Sequence, residues 1–314
     1  MTNPRTHAWS ASLLVFLPGL QSPAAPLAQA PAPAAPVTAA QDERTPDTVT
    51  LLHENGLKAR EGRIVHGRRE GKWRGWFQNG APEYEGAFHD YQRVGHWKYW
   101  SESGKPRMEG EWKDGVQEGT WIQYDEEGNK QSEGGYARGM RHGHWVSWLP
   151  GGVKQKEGDF LVDQRHGEWT YYNAKGGKLS QGRFRFNEQD GPWTRWYEDG
   201  GKEFEGSFRA DQPDGPWVYY HKNGEARARG TYTLGKRVGE WIDYHENGQK
   251  QRVGSYNGGV MSGTWTSWYP SGQKQSEGIY VEDKAEGTWQ FWTEDGSIDT
   301  EHSGEYRAGK KVKP

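Results

Sequence analysis

The side chains best suited to metal or acid–base chemistry occur in two similar segments, "RHGHW" from Arg141 and "RHGEW" from Arg165. His142 and His144 stand two residues apart, and His166 has the matching place in the second segment. Imidazole is a common metal ligand and general base. No further His or carboxylate stands at a recognised ligand spacing. We therefore interpret these residues as turn histidines and predict no metal site.

Acidic and basic side chains recur too regularly to build a catalytic pocket. A carboxylate hydrolase needs two unique acids in one cleft, and these acids are copied at a fixed interval. The sequence contains no phosphate-binding glycine loop, nucleophile elbow or zinc motif. It predicts a non-catalytic protein without a cofactor, whose exposed ion pairs are each worth under about 1 kcal/mol. The recurring side chains are Glu85, Glu109, Glu133, Glu157, Glu205 and Glu277, and Lys130, Lys154, Lys178, Lys202, Lys250 and Lys274.

Tryptophan is the third residue type that could carry function, because its ring can stack on sugars or bases. The chain holds 18 tryptophans, and ten of them occur in the phrase Gly-x-Trp. A residue present in every copy of a repeat is needed by every copy, so we interpret these ten as buried structural rings. They are Trp73, Trp97, Trp121, Trp145, Trp169, Trp193, Trp217, Trp241, Trp265 and Trp289.

The composition leaves little material for a thick aliphatic core. Of 314 residues only 32% are hydrophobic and 14% are aromatic, and 45 are glycine. The net charge of −3 and the absence of a basic stripe argue against a nucleic-acid partner. Cysteine is absent, which excludes disulfides, thiol catalysis and cysteine-ligated metals.

A repeat of 24 residues positions these side chains. We take the glycine of Gly-x-Trp as position 0 of each copy. Position +5 is then aromatic in all ten copies, position +9 is glycine, and positions +15 and +17 are glycine and an aromatic residue in nine copies. A degenerate copy begins at Asp47, and the last copy carries two extra residues before Gly304. Constant spacing predicts stacked units that cover one another's rings. Position 0 is Gly71, Gly95, Gly119, Gly143, Gly167, Gly191, Gly215, Gly239, Gly263 and Gly287.

Each copy has the features of a β-hairpin. Segments such as "KWRGWF" are rich in aromatic or β-branched residues, which favours strands. A turn such as "YEDG" closes through a left-handed glycine, and a shorter turn such as "KDG" leads to the next copy. We predict an all-β fold, an elongated open antiparallel β-meander of tandem hairpins with roughly 20 strands. A β-propeller would need a modulation over two copies, and two packed sheets, which remain an alternative, would need longer aliphatic strands.

Alternation along the first strand of each copy separates two faces. Position +3 is mainly β-branched and shares a face with the aromatic at +5, so we expect that face to be well packed. Position +4 varies, which indicates a place that the fold does not dictate. We predict partner contacts at its aromatic members, and a second variable set in the turn at positions +20 to +23. The predicted contact residues are Tyr99, Tyr171, Tyr219 and Phe291.

Residues 1–46 lack the repeat. Arg5 precedes an apolar run from Trp9 to Leu20, and small residues and prolines follow. This pattern predicts a signal peptide over residues 1–30 and an Ala/Pro-rich linker over residues 31–46. The repeats then occupy residues 47–310 and a basic tail residues 311–314. We expect a periplasmic, extracellular or cell-surface protein, or a cytoplasmic one if residues 1–30 are not a signal peptide.

Two long segments carry a family resemblance. "GHWKYWSESGKPRMEGEWKDGVQEGTW" from Gly95 and "GEWIDYHENGQKQRVGSYNGGVMSGTW" from Gly239 resemble MORN-repeat variants, the type found in bacterial YwqK-family antitoxin-like proteins. The likeness covers about residues 47–310. It implies an elongated ladder that serves as a protein-interaction scaffold or, in some members, as a lipid-contacting surface. The antitoxin type would imply neutralisation of a toxin in the cytosol.

The sequence therefore predicts a non-catalytic repeat scaffold that binds a protein partner. Binding of cell-envelope carbohydrate or lipid headgroups through exposed aromatic rings is one alternative. Direct binding of a toxin, as by an antitoxin, is another. No nucleic-acid partner is expected.

Overall fold

The structure is a computed structural model that describes residues 47–312. The chain divides into the units Met1–Thr45 and Pro46–Pro314, and the described residues belong to the second unit. The predicted signal peptide (1–30) and linker (31–46) lie outside the described residues, as do the last two residues of the predicted tail (311–314). Among residues 47–312, no helix has the length and apolar character needed to cross a membrane.

The described residues form 24 β-strands and no helix. The strands are β1 Asp47–Leu52, β2 Lys58–Val65, β3 Arg68–Trp76, β4 Pro82–His89, β5 Gln92–Trp100, β6 Pro106–Lys113, β7 Val116–Tyr124, β8 Lys130–Ala137, β9 Met140–Trp148, β10 Lys154–Leu161, β11 Gln164–Tyr172, β12 Lys178–Arg185, β13 Glu188–Trp196, β14 Lys202–Arg209, β15 Gln212–Pro213, β16 Gly215–Tyr220, β17 Ala226–Thr233, β18 Lys236–Tyr244, β19 Lys250–Asn257, β20 Val260–Trp268, β21 Lys274–Val281, β22 Lys284–Phe291, β23 Gly304–Arg307 and β24 Lys310–Lys311.

Strands that are neighbours in sequence pair antiparallel from β1 to β24, with the exception of β15 and β16. β14 pairs with both β15 and β16, because the strand opposite it is interrupted at Asp214. Within the described part of the chain β1 and β24 each have one partner, so the sheet is open. The predicted open antiparallel meander is confirmed. The strand number exceeds the expected value because the degenerate copy contributes β1 and β2, the break at Asp214 divides one strand into β15 and β16, and β24 follows the last copy.

Two kinds of turn alternate along the sheet. In the longer turn, Phe77 N donates to Ala81 O at 2.8 Å and Gly80, with φ 85°, donates from its N to Phe77 O at 2.9 Å. This is the glycine-closed turn that the sequence predicts. The shorter turn has two left-handed residues, as in Asp114 (φ 50°) and Gly115 (φ 78°), which suits the twist of a tight hairpin.

Longer turns of successive copies are joined by side chains. Asn247 Nδ2 donates to Pro270 O at 2.7 Å, and Asn223 Nδ2 donates to Glu246 O at 2.6 Å. His245 Nε2 lies 2.8 Å from Trp268 O in the same direction. These bonds connect the row of longer turns along one side of the sheet, and they stabilise the contact between successive copies.

The core is a layer of rings on one side of the sheet, which we call the tryptophan face. It carries positions +2, +4, +13, +15, +17 and +22 of each copy. All ten Gly-x-Trp rings are at most 9% exposed. Trp169 lies over Gly158, where an added Cβ would stand 2.4 Å from the indole, and its Nε1 donates to Asp159 O at 3.0 Å. Phe160 packs edge-on against Trp169 at 5.0 Å and against Trp145 at 6.0 Å, so it joins the tryptophans of successive copies.

The opposite face carries the recurring ion pairs. Lys154 Nζ lies 2.8 Å from Glu157 Oε2, three residues along the same strand, and the Tyr172 hydroxyl donates to the same carboxylate. These hydrogen bonds, with Lys154 first, lower the pKa of Glu157. At position +3 Thr170 and Ile242 are buried, but the other members are half-buried or exposed. This face was expected to be well packed, and its side chains at positions +3 and +5 are mostly half-buried, whereas the fully covered rings lie on the tryptophan face.

Candidate functional site

Positions +4 and +13 form one continuous row across the tryptophan face, which we call the variable row. Each member is directly opposed to the next, from β2 to β22, and their identities do not repeat from copy to copy. In spatial order they are Arg60, Gly75, Tyr84, Tyr99, Met108, Gln123, Ser132, Ser147, Lys156, Tyr171, Ser180, Arg195, Phe204, Tyr219, Ala228, Asp243, Arg252, Ser267, Ser276 and Phe291.

The four predicted contact residues all lie in the variable row, but they are less accessible than the sequence suggested. Tyr219 is 4% exposed and stacks on Trp217 at 5.8 Å. Tyr99, Tyr171 and Phe291 are half-buried, and each of the three lies against the tryptophan two residues earlier. The prediction that the fold does not dictate the residue at position +4 is therefore wrong for Tyr219. Because positions +2 and +4 share a face, an aromatic ring at +4 packs on the tryptophan.

Burial of these phenols changes their acidity. It raises the pKa of Tyr99 to about 12 and also raises the pKa of Tyr171. The pKa of Tyr219 is raised by burial and then by Tyr232, whose hydroxyl lies 3.2 Å from its own. All three side chains are therefore neutral hydrogen-bonding groups at physiological pH.

The variable row changes in character along its length. Tyr84, Tyr99 and Met108 form an apolar stretch near one end, and Phe204, Tyr219 and Ala228 form a second one. Between the two, the row is polar and includes the opposed residues Ser147 and Lys156. A ligand that lies across the strands would therefore meet apolar, polar and again apolar side chains.

Arginines border the variable row at position +22, a recurrence that the sequence interpretation missed. Arg141 and Arg165 lie over the rings of Phe160 and Phe184 at 4.0 and 3.9 Å. Arg237 lies 4.4 Å from the centre of the Trp241 ring. Such cation–π contacts hold the guanidinium groups against the aromatic layer. The signal was visible as the same residue type at one position of five copies: Arg69, Arg93, Arg141, Arg165 and Arg237.

The histidines do not come together as a site. His144 Nδ1 lies 3.1 Å from Asp159 Oδ1 and its Nε2 lies 3.7 Å from Glu157. The ring of His166 lies 5.4 Å from that of Phe186. Among residues 47–312, no group of three or more His, Asp and Glu side chains could hold a metal ion.

Comparison with known families gives a match over part of the chain. A family described as MORN repeat variant matches residues 93–114, 117–137, 237–257 and 261–282. Together these stretches cover less than half of the chain. Each of them spans a strand pair of the meander. No curated protein matches the chain in sequence.

Among solved structures, similarity extends over most of this chain but over a small part of the other chains. A crystal structure of TcdB2-TccC3-Cdc42 is 8% identical, with 80% of this chain covered, 17% of that chain covered and a TM-score of 0.17. A Photorhabdus luminescens Tc holotoxin pore with a mutation in TccC3 is 10% identical, with 83% and 16% covered and a TM-score of 0.18. The chain thus spans about a sixth of the length of these chains.

Proposed function

We propose that the chain is a non-catalytic scaffold that binds a protein partner along the variable row. The observation that supports this most strongly is the unbroken opposition of side chains from Arg60 to Phe291, in which identity varies while the surrounding layer repeats. A partner segment lying across the strands would make many weak contacts whose sum can be specific. Tyrosine, phenylalanine and arginine, which are present in the row, are enriched at protein interfaces.

The general behaviour of MORN repeats, which commonly bind proteins or membranes, agrees with this proposal. Carbohydrate binding on the tryptophan face is less well supported by the packing of its rings. A sugar needs an open ring face on which to stack, and none of the ten Gly-x-Trp rings is more than 9% exposed. Protein contact through half-buried side chains such as Tyr171 and Phe291 needs no such open platform.

Site-specific photo-crosslinking tests the proposal. A photoreactive amino acid at Ser180, in the variable row, is compared with one at the exposed Thr264 on the opposite face. In an extract of the source cells we expect a discrete protein adduct from position 180 and none from position 264. Equal adducts from both positions, or none from position 180 while glycans or vesicles are retained, would contradict the proposal.

We further propose that the protein acts outside the cytosol, on the strength of the signal-like pattern in residues 1–30. A reporter enzyme fused after residue 46 should be exported. If the reporter stays inside the cell, the YwqK-type antitoxin function, in which a cytosolic toxin is bound directly, becomes the better hypothesis.

A further inference from the structure

The centre of the variable row holds a cation with no partner. Lys156 stands on β10, directly opposite Ser147 on β9 and Tyr171 on β11, and it is half-buried. Its ammonium group has no hydrogen-bond or ion-pair partner among the described residues. The ammonium nitrogen is not among the fully buried polar atoms that lack a partner in the described residues, so it can be reached from solvent and is open to a ligand.

Two arginines flank Lys156 on the same face. The Arg165 guanidinium donates to the Tyr171 hydroxyl at 3.1 Å, and Tyr171 is the residue opposite Lys156. Arg141 lies over the ring of Phe160, four residues along β10 from Lys156. Burial, followed by these two arginines, lowers the pKa of Lys156. Arg141, Lys156 and Arg165 are therefore close enough to act on one another, and we call them the basic cluster.

Carboxylates near the basic cluster are already engaged or point elsewhere. Asp163 pairs with Arg141 at 3.0 Å. Glu157 binds Lys154, and Asp159 contacts His144, both on the opposite face of the sheet. Asp163 is thus the one carboxylate paired with the three cations of the basic cluster, and the centre of the row carries a net positive charge.

The other charged members of the row that lie towards the chain's C-terminus are paired. Arg195 Nε lies 2.9 Å from Glu203, and Arg252 lies 2.8 Å from Asp243. Arg60, at the N-terminal end of the row, has no ion pair among the described residues either, so Lys156 is the unpaired cation at the centre of the row. Serine hydroxyls at Ser147 and Ser180 stand on either side and can donate hydrogen bonds to a bound oxyanion.

We propose that Arg141, Lys156 and Arg165 form a binding site for carboxylate side chains of an acidic partner peptide that lies along the variable row. This proposal rests on the protein-binding function proposed above. Charge complementarity selects the acidic class, and charge-assisted hydrogen bonds to carboxylates are the strong ones. The apolar stretches on both sides fit hydrophobic residues that flank the acidic segment of such a peptide. A membrane is the weaker candidate, because the rings around the basic cluster are buried and cannot insert into lipid: Phe160 and Phe184 are at most 9% exposed.

The test uses a fluorescein-labelled oligoglutamate peptide, with an oligoglutamine peptide and phosphatidylserine vesicles as separate arms. Lys156→Gln is compared with Lys178→Gln, which removes an exposed lysine of the opposite face that contacts Gln181. We expect oligoglutamate but not oligoglutamine to bind, and Lys156→Gln to weaken binding by about tenfold or more. Lys178→Gln should leave the dissociation constant unchanged.

Thermal unfolding of the same variants shows whether a loss of oligoglutamate binding is caused by misfolding. Because Lys156→Gln removes an unpaired, half-buried cation, its unfolding midpoint should not fall below that of the parent chain. Equal loss of oligoglutamate binding in both variants, absence of any oligoglutamate binding, or Lys156-dependent binding of vesicles alone would overturn the proposal.

The two proposals can fail separately. If the Ser180 adduct still forms in the Lys156→Gln variant with undiminished yield, the acidic-peptide site is wrong while the protein-binding row stands. If no adduct forms in the parent chain either, the proposed protein-binding function is wrong as well.

Discussion

A single contact, that of an indole on a glycine, explains why this chain combines so much tryptophan with so much glycine. The Trp169 ring lies flat on Gly158 of the preceding strand and also donates a hydrogen bond to Asp159 O. Only a residue without a side chain allows this approach, and only a large ring covers the gap that the glycine leaves. The pair therefore buries much surface in a layer one ring thick. It replaces the aliphatic core that the composition excludes.

Gly158→Ala should destabilise the fold strongly. The added Cβ would stand 2.4 Å from the Trp169 indole, so the ring must shift, and overpacking of this kind costs about 1–3 kcal/mol. The control is Gly201→Ala, where the nearest atom is the Asp199 carboxylate oxygen at 3.3 Å. Chemical denaturation followed by tryptophan fluorescence measures both variants. Equal midpoints for the two would show that the close indole contact is not what requires glycine.

The tyrosines at position +5 should make the fold sensitive to alkali. Burial, and then the hydrogen bond to Glu157, raise the pKa of Tyr172 to about 12, and Tyr124 and Tyr220 have pKa values of about 12 for the same reasons. An unfolded tyrosine ionises near pH 10, so the native state keeps its proton longer. The resulting stabilisation is complete below about pH 10 and is lost as the pH rises towards about 12.

The near-ultraviolet absorbance of tyrosinate during a pH titration tests this prediction. The phenols of Tyr99, Tyr124, Tyr172 and Tyr220 should ionise near pH 12, and those of Tyr171 and Tyr219 should also ionise later than an unfolded tyrosine. In the Glu157→Gln variant, the tyrosinate absorbance of one phenol, that of Tyr172, should appear at lower pH than in the parent chain. Glu198→Gln, at an exposed position, should leave the titration curve unchanged. A curve with all tyrosines ionising near pH 10 would contradict the raised pKa values.

Within each hairpin, the turns were predictable from the sequence, but the contacts that side chains make across paired strands were not. Glycine at +9 predicted the longer turn, because a left-handed residue is required there by the turn alone. The depth of Tyr219 depends on Trp217 beside it and Phe204 opposite, and a single sequence shows neither contact. The basic cluster escaped prediction for the same reason, since Arg141, Lys156 and Arg165 meet only after the three strands β9, β10 and β11 have paired.

The shorter turns also differ from simple expectation, because several carry non-glycine residues in left-handed conformations. Val162, with φ 52°, is a β-branched residue in a region that such residues avoid. Its side chain is 50% exposed, so it gains little from burial. Val162→Asn should stabilise the fold by about 1 kcal/mol, since asparagine tolerates this conformation. Denaturant midpoints provide the measurement.

Val116→Asn is the matched control for this substitution. Val116 is 42% exposed and belongs to β7, without a left-handed backbone. There asparagine gives up the strand preference of valine and relieves no strain, so no gain in stability is expected. A similar gain in both variants would show that backbone strain at Val162 is not the cause.

Across the whole sheet, stability should behave as a sum of repeats and of interfaces between neighbours, because each strand makes nearly all of its contacts with the strands beside it. Deleting residues 242–265 removes one period of 24 residues and joins Trp241 to Thr266 in the correct order of faces. This variant should keep the circular dichroism signal of its strands and its buried-tryptophan fluorescence, with a modest fall in the unfolding midpoint.

Deleting residues 242–266 removes one residue more and joins Trp241 to Ser267. Trp268 then moves from the opposite face to the tryptophan face, because a shift of one residue reverses every side chain of a strand. Circular dichroism and fluorescence should therefore show a much larger loss from the second deletion than from the first, although the two differ by one residue. Equal losses would mean that the hairpins are coupled through something other than the regular alternation of faces.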